Sequence, residues 1–349
     1  MKTSVVILNW NGKSLMEAYL PNVVEHTLLE GVSDVELVVA DNGSTDGSMA
    51  FLESNYADKI KRIDLGHNHG FAEGYNLALA QIDSEYAILL NSDVTVTQGW
   101  LGHLIEYMDT HPDVAACQPK IRSIRQKNEF EHAGAAGGFI DFLGYPFCRG
   151  RVLAYVEEDH GQYDTPIDLF WATGACLCIR MEDFRSVGGF DARFFAHMEE
   201  IDLCWRLRSR NRRVVCLPQS CVYHLGGATL NKENPRKTFL NYRNNLLMLY
   251  KNFPNENFAV VFIVRLFLDY LSVLIFLLSA KFGDAKAVIR ARYSFWKMKA
   301  LFRTQRLENL QNTVLHNIPE MYKGSMIFGY YFCGKRLFSD FFPEGKIKK

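Results

Sequence analysis

From Val38 to Ser48 the chain reads Val-Val-Ala-Asp-Asn-Gly-Ser-Thr-Asp-Gly-Ser, an apolar run, an acid, a turn and the start of a helix. A strand that passes into a helix through a tight loop is the repeating unit of an α/β protein with a mainly parallel central sheet and flanking helices. The order also leaves the carboxylate of Asp41 at the carboxyl edge of a strand, where open α/β sheets bind ligands. Taken alone, Asp41 reads equally well as a turn-forming residue, because Asp side chains close Asx turns. Asp46 reads as a cap for the helix that begins there.

The unit recurs along the first third of the chain. Strands are expected at 3–9, 35–40, 60–65, 86–91 and 114–118, with helices at 13–29, 46–56, 71–82 and 98–110. Residues 122–166 are Gly-rich and read as an irregular loop region over a cleft. An apolar stretch at 169–180 follows, then helices at 181–187 and 199–210 and strands near 213–217 and 221–224. The 349 residues, 48% hydrophobic, suffice for a full core and either one large domain with an appendage or two domains. The change of character after the last strand places a domain over 1–250 and a helical region over 251–349. The eight cysteines lack Cys-x-x-Cys spacing, and Cys117, Cys176, Cys178 and Cys216 sit in apolar runs. They read as reduced, buried thiols of a cytosolic chain. The apolar run Ser4–Leu8 is too short for a signal peptide.

Residues able to do chemistry fall at strand ends. Asn9, Trp10, Asn11 and Gly12 close the first strand, where they form either the wall of a base pocket or a plain turn. The run from Asn68 through Gly70 to Asn76 opens a helix whose N-terminus favours phosphate, and Gly70 permits close backbone approach. The absence of Gly-x-Gly-x-x-Gly and of a Walker loop argues against a dehydrogenase or a P-loop enzyme. Asn91-Ser92-Asp93 ends the strand at 86–90. One carboxylate there, together with a diphosphate, is enough to hold Mg²⁺ or Mn²⁺, although such a triplet also serves as a turn. Glu199 and Glu200 open a helix as a candidate general base, or as acids that complement the helix dipole, while Asp202 reads as an orienting or capping residue. His224 closes the last strand as a third metal ligand or as a hydrogen-bonded histidine.

Five segments in order together resemble the family 2 glycosyltransferases of the GT-A fold, close to bacterial rhamnosyltransferase-like enzymes. They are Val-Val-Ile-Leu-Asn-Trp-Asn at 5–11, Asp-Asn-Gly-Ser-Thr-Asp-Gly-Ser at 41–48, Asn-x-Gly-Phe-Ala at 68–72, Leu-Leu-Asn-Ser-Asp-Val at 89–94 and Glu-Glu-x-Asp-Leu-Cys-x-Arg at 199–206. The likeness covers about residues 3–250. It implies nucleotide contacts from Asn9, Asn11 and Asp41, with Trp10, Asn42, Asn68, Gly70, Asn76, Asn91 and Ser92 around the same nucleotide. Asp93 matches the last acid of the family's Asp-x-Asp metal motif, from which Asn91 departs, and His224 matches a His that completes the metal site in some members. Glu200 stands at the catalytic base, with Glu199 the alternative. Trp171, Thr173, Gly174 and Ala175 resemble the segment lining the acceptor cleft.

The reaction so implied is an inverting single displacement assisted by Mg²⁺ or Mn²⁺, from a UDP- or dTDP-sugar to a hydroxyl of a glycan or lipid-linked saccharide, in cell-surface polysaccharide assembly. A nucleotidyltransferase and a non-catalytic sugar-nucleotide-binding protein on the same sheet are the competing readings.

The last third concerns location. Residues 258–280 carry only two charges, Arg265 and Asp269, over 23 positions, long enough for a ~30 Å hydrocarbon core. Their i,i+4 spacing allows pairing on one face. A mid-segment ion pair is costly in lipid, which favours a helix packed in the protein or lying in the interface over a span. From Lys281 onward 14 Lys/Arg stand against 5 Asp/Glu, a charge of +9, interleaved with Phe282, Tyr293, Phe295, Trp296 and Phe302. Basic residues among aromatics suit an anionic bilayer surface, with a solvated helical face as the plainer reading. No nucleic-acid-binding motif accompanies the charge. A peripheral position on the cytoplasmic face of the inner membrane is expected.

Overall fold

A computed structural model describes residues 1–29, 32–226 and 234–343. The amino-terminal part forms β1 (Thr3–Asn9), α1 (Lys13–Val24), β2 (Val35–Asp41), α2 (Ser48–Tyr56), β3 (Ile60–Asp64), α3 (Gly70–Leu79), β4 (Tyr86–Leu90), β5 (Val94–Val96), α4 (Trp100–Thr110) and β6 (Val114–Ser123). The middle adds β7 (Gly138–Asp141), β8 (Pro146–Cys148), β9 (Arg151–Val152), β10 (Tyr155–Val156), β11 (Ile167–Asp168), β12 (Cys176–Arg180), α5 (Met181–Ser186), α6 (Glu199–Ser209) and β13 (Arg213–His224). The remainder is α7 (Pro235–Asn252), α8 (Phe258–Leu278), α9 (Phe282–Met298), α10 (Arg303–Gln311), β14 (Met321–Tyr322), α11 (Met326–Phe332) and α12 (Phe338–Phe341).

The central sheet runs β11-β13-β6-β12-β4-β1-β2-β3, with β5 paired to β13. β3, β2, β1 and β4 are parallel, β12 runs against both its neighbours, and β6 and β13 are parallel again. The sheet is therefore mixed. β1 and β2 are buried on both faces, which is why they read as continuous apolar runs. Successive side chains go to opposite cores: Val6, Val38 and Leu89 pack on one face, Val5, Val39 and Ile88 on the other.

Three expectations from the sequence change. The helix expected at 13–29 contains Pro21, which cannot donate to the ladder, and residues Glu25–Leu29 continue as a π-helical turn. The region 122–166 is not an irregular loop. β7 to β10 form a second sheet, ordered β10-β9-β8-β7-β14. Its glycines allow close packing: a Cβ on Gly138 would lie 2.2 Å from the Trp171 ring. The two strands near 213–224 are one, β13, with an irregularity between Leu217 and Cys221.

A break at residue 250 falls inside α7, which packs on both α6 and α9. The carboxyl-terminal segments return to the middle of the chain. β14 pairs with β7, the Met326 amide donates to Asp141 Oδ2 at 2.8 Å, and Phe338 packs on Phe139 with ring centroids 4.7 Å apart. All eight cysteines are free thiols, six of them buried.

α8 is inverted relative to an ordinary surface helix. Val261, Arg265, Asp269 and Val273, four residues apart, point inward. Arg265 Nη2 lies 3.5 Å from Asp269 Oδ1, and Arg292 of α9 pairs with the other carboxylate oxygen. The outward faces carry Ile263, Phe267, Leu271, Leu274 and Leu278, with Phe267 70% and Leu278 80% exposed. α8 is the one helix among the described residues long and apolar enough to cross a membrane by length and composition.

Candidate active site

Parallel pairing of β1 with β2 and β4 brings Asn9, Asp41 and the Asn91-Ser92-Asp93 turn to one sheet edge. Asn9 lies opposite Asp41 in register and donates to Asp41 Oδ1 at 2.9 Å and to Ser44 Oγ at 3.0 Å. Asp41 Oδ2 accepts the Ser44 amide at 2.8 Å, so Asp41 closes its own turn as well as facing the edge. The buried Oδ1 of Asn9 has no partner among the described residues. A Cβ on Gly12 would sit 2.4 Å from that oxygen and 3.7 Å from Ser92 Oγ, which puts the ends of β1 and β4 side by side. Trp10 is 45% exposed, and Asn11 holds a positive φ of 50° while its Oδ1 accepts the Thr45 amide at 2.8 Å. Asp46 takes the Ser48 amide at 3.1 Å and the Lys13 amide at 2.8 Å, tying α2 to α1.

Other residues expected at the nucleotide have structural partners here. Asn42 is buried, donates to the Gly70 carbonyl at 3.0 Å and accepts the His69 amide at 3.0 Å. Asn68 Oδ1 accepts the Gly70 amide at 2.8 Å. Asn76 brackets Phe190, donating to its carbonyl at 2.9 Å and accepting its amide at 3.0 Å. The expected phosphate cradle at the start of α3 is a correction. The Phe71 and Ala72 amides already donate to the Phe195 carbonyl, at 2.6 and 3.2 Å. Gly70, at φ +80°, permits close approach of Phe195 and not of a phosphate: a Cβ there would meet the Phe195 ring at 2.6 Å.

The β13 register sets His224 against Val94 of β5, and so beside Asp93. His224 Nε2 lies 3.0 Å from Asp93 Oδ1 and 3.3 Å from Asn91 Nδ2. Its Nδ1 lies 3.4 Å from Glu131 Oε2. Burial would lower the imidazolium pKa, but the Asp93 and Glu131 carboxylates outweigh it and push it up to about 10. Glu131, in the Gly-rich stretch, is absent from the sequence reading; only the fold brings it to His224.

Once the imidazolium gives up its Nε2 proton, as metal binding requires, this set fits a divalent cation. Two ligands of one small octahedral ion, each about 2.1 Å from it, stand about 3 Å apart. Asp93 and His224 have that spacing, and Glu131 pairs with the far ring nitrogen at 3.4 Å, on the side where a carboxylate orients a ligating His. Glu131 does not converge with them, and among the described residues no cluster of three or more His, Cys, Asp or Glu is arranged around one point.

The segment 171–175 links the metal-side turn to the acids on α6. The Ala175 carbonyl accepts the Asn91 amide at 3.0 Å, and the Ala172 amide donates to Cys204 Sγ, one turn beyond Glu200, at 3.5 Å. A segment of four residues, at most about 14 Å long, thus ties the Cys204 turn of α6 to the end of β4. Trp171 is buried with its indole donating to the Phe139 carbonyl at 2.8 Å. Thr173 donates to the Ala133 carbonyl at 2.8 Å, and Gly174 lies against the Phe71 ring, where a Cβ would sit 2.8 Å away. Trp171, Thr173 and Ala175 are thus buried wall, not open lining.

The three acids at the start of α6 separate by environment. Asp202 is fully buried and paired: Lys251 Nζ and Arg206 reach Oδ2, and Asn252 reaches Oδ1 at 2.8 Å. Glu199 and Glu200 each have a buried Oε2 without a partner among the described residues. Burial, then the neighbouring Glu200 charge, pushes Glu199 well above the carboxylate range. Glu200 is only half-buried, and burial pushes its carboxyl up to about 7. The loop before them is strained, with Phe195, His197 and Met198 at φ of 66°, 70° and 75°. Asn244 of α7 holds that loop by donating to the carbonyls of Phe194, Ala196 and His197 at 2.9, 2.8 and 2.7 Å.

The sheet edge with its amide and carboxylate contacts, the acid–histidine pair and the unpartnered acids on a following helix are all carried by a GT-A fold. Solved structures share the fold: a fragment of TarS from S. aureus in complex with UDP-GlcNAc (TM-score 0.55, 17% identity, 89% of each chain), and GalNAc-T7 with UDP, GalNAc and Mn²⁺ (TM-score 0.55, 15% identity, 73% of this chain and 48% of that one). Residues 4–187 match Glycosyl transferase family 2, and the chain belongs to that family. It is similar to the O-antigen biosynthesis protein RfbC of Myxococcus xanthus, 29% identical over 54% of this chain and 14% of that protein. It is also similar to an N-acetylglucosaminyl-diphospho-decaprenol L-rhamnosyltransferase of Mycobacterium tuberculosis, 29% identical over 54% of this chain and 66% of that protein. The chain thus spans less than two thirds of the length of either relative.

Proposed function

We propose that this chain is an inverting glycosyltransferase that moves a sugar from a UDP- or dTDP-linked donor to a hydroxyl of a glycan or lipid-linked saccharide, in cell-surface polysaccharide assembly. The observation that carries the reading is the half-buried Glu200, unpartnered at one oxygen and pushed up to about 7, at the start of α6, whose preceding loop accepts the Phe71 amide of α3 at Phe195. A base with a pKa near the working pH is the efficient one. Glu200 takes the proton from the acceptor hydroxyl, whose oxygen attacks the anomeric carbon from the face opposite the nucleotide. Glu199, more deeply buried, has its carboxyl held well above the usual carboxylate range beside it. Asn9 and Asp41 position the nucleotide. Asp93 and His224 are the residues that would hold a divalent cation, with Glu131 steering the imidazole; when bound, such a cation supplies positive charge beside the departing diphosphate.

The names of the mycobacterial relative, which includes a diphospho-decaprenol acceptor, and of the UDP-GlcNAc complex of TarS support the substrate classes. The outward apolar face of α8 and the basic α9 support a peripheral position on the cytoplasmic membrane face. The test is release of nucleoside diphosphate from a panel of UDP-, dTDP- and GDP-sugars with Mg²⁺ or Mn²⁺. Turnover by the native chain, lost in Glu200→Gln with donor binding retained, is the expected result; full turnover by Glu200→Gln sinks the assignment. Release of pyrophosphate instead would mark a nucleotidyltransferase.

A further inference from the structure

Where the first turns of α7 and α9 meet, they enclose an open cavity of about 660 Å³, lined by none of the residues assigned above to the nucleotide or the cation. Four cations line it, Arg236, Arg243, Lys286 and Arg290, together with Phe195 and Phe239, and among the described residues no carboxylate does. None of the four makes an ion pair among the described residues. The Arg243 guanidinium donates to the carbonyls of Phe194 and Arg193 and to the Asn244 amide oxygen. The nearby acid on α9, Asp284, accepts the Thr238 hydroxyl at 2.6 Å. Arg243 and Arg290 both stack on the Phe239 ring, at 5.3 and 5.7 Å from its centroid, and Arg236 stacks on Phe195 at 5.1 Å. Like charges gathered on shared rings without acids are matched by an anion with several oxygens, which guanidinium forks bind in pairs.

The backbone adds to the field. Arg236 and Gly283 are the second residues of α7 and α9, so two helix N-termini meet here; the Arg236 amide is capped by the Asn234 side chain at 2.9 Å, which leaves the side-chain cations as the anion-binding groups. Only glycine allows it, since a Cβ on Gly283 would lie 2.9 Å from Pro235 Cγ. Position narrows the choice of anion. Phe195 lies two residues before His197 in the strained loop that delivers Glu199 and Glu200. On the other side, α9 begins four residues after the exposed Leu278 at the end of α8.

We infer that this cavity is the acceptor's diphosphate subsite, taking the diphosphate of a lipid-linked saccharide whose hydrocarbon tail runs along α8 and whose sugar reaches Glu200. The inference rests on the glycosyltransferase reading, and its test is kept separate from turnover. The full chain is titrated calorimetrically with farnesyl diphosphate, farnesol and UDP, alongside the double variant Arg236→Glu/Arg290→Glu; both side chains are exposed, and a thermal melt checks folding.

Farnesyl diphosphate is expected to bind the native chain, farnesol not, and the variant to bind farnesyl diphosphate at least about tenfold more weakly with UDP affinity unchanged. No binding of farnesyl diphosphate, or equal binding by the variant, overturns the subsite. An equal loss of UDP affinity overturns it by assigning the cavity to the donor. Variant-sensitive binding to phosphatidylglycerol vesicles without binding of farnesyl diphosphate overturns it in favour of a lipid headgroup. Donor turnover without farnesyl diphosphate binding refutes only the subsite; farnesyl diphosphate binding without turnover of any donor refutes only the proposed activity.

Discussion

Nε2 of His224 stands 3.0 Å from Oδ1 of Asp93, two residues that lie 131 positions apart in the chain. Their meeting depends on the antiparallel pairing of β13 with β5, and their orientation depends on Glu131 at the other ring nitrogen. Glu131→Gln keeps the shape and removes the charge. It is expected to weaken Mn²⁺ affinity by about 10- to 100-fold, read by Mn²⁺ titration of the UDP complex, with metal-free UDP affinity unchanged.

The elevated Glu200 carboxyl sets a pH dependence. A base must be deprotonated to act, so kcat/KM is expected to rise through pH of about 7 and level off above it. Glu200→Gln should lower kcat by about 10²- to 10⁴-fold and abolish that rise. A profile flat from pH 5 to 8 in the native enzyme would count against Glu200.

The same shift predicts a stability effect of opposite sign to the activity effect. The folded chain holds the Glu200 proton more tightly than the unfolded chain, whose value is near 4.5, so stability falls as pH rises from about 4.5 to 7. Glu200→Gln removes that penalty. At pH 8 the variant is expected to be more stable than the native chain by about 1–3 kcal/mol, and at pH 4 to match it, as read by urea denaturation at the two pH values.

Asn244 carries no chemistry but holds three carbonyls of the strained 194–198 loop. Asn244→Ala should let the loop relax and move Glu200. The expected outcome is a fall in kcat of about tenfold or more with UDP affinity retained, in steady-state kinetics against direct binding. A variant that loses stability but keeps kcat would show that the loop is held by other contacts.

Asp269 neutralises two buried arginines, Arg265 and Arg292. Asp269→Ala leaves both cations buried without their carboxylate and is expected to cost about 3–5 kcal/mol, measured as a lowered urea midpoint. The pair also explains how an apolar helix of 21 residues carries charges at its centre: they face α9 and the protein, and the hydrocarbon side chains face out.

How much of this was legible in the sequence follows from the range of the interactions. The strands β1, β2 and β4 and their polar ends could be read because burial on both faces and a turn after each strand are local signals. The Arg265–Asp269 pairing could be read for the same reason, since i,i+4 spacing is local. Glu131 could not, because its partner His224 is recruited through strand register. The second sheet was hidden because its strands are only two to four residues long, and its glycines, which admit Trp171, Leu169 and Thr173, look like loop residues when read along the chain. Gly70 was read for the right property, closeness of approach, but the neighbour is Phe195, some 125 residues downstream, and not a phosphate.

The pairing of β14 with β7, and the packing of Phe338 on Phe139, give the last segments a part in the architecture of the second sheet. A polypeptide cut after the family-matched stretch, or after residue 250, would leave Phe139 and Phe147 facing water and one edge of the small sheet open. The strand-end site and the carboxyl-terminal helices are therefore inherited as a unit: shortening the tail to obtain a tractable catalytic fragment would dismantle the packing around Phe139, whose carbonyl holds the Trp171 indole.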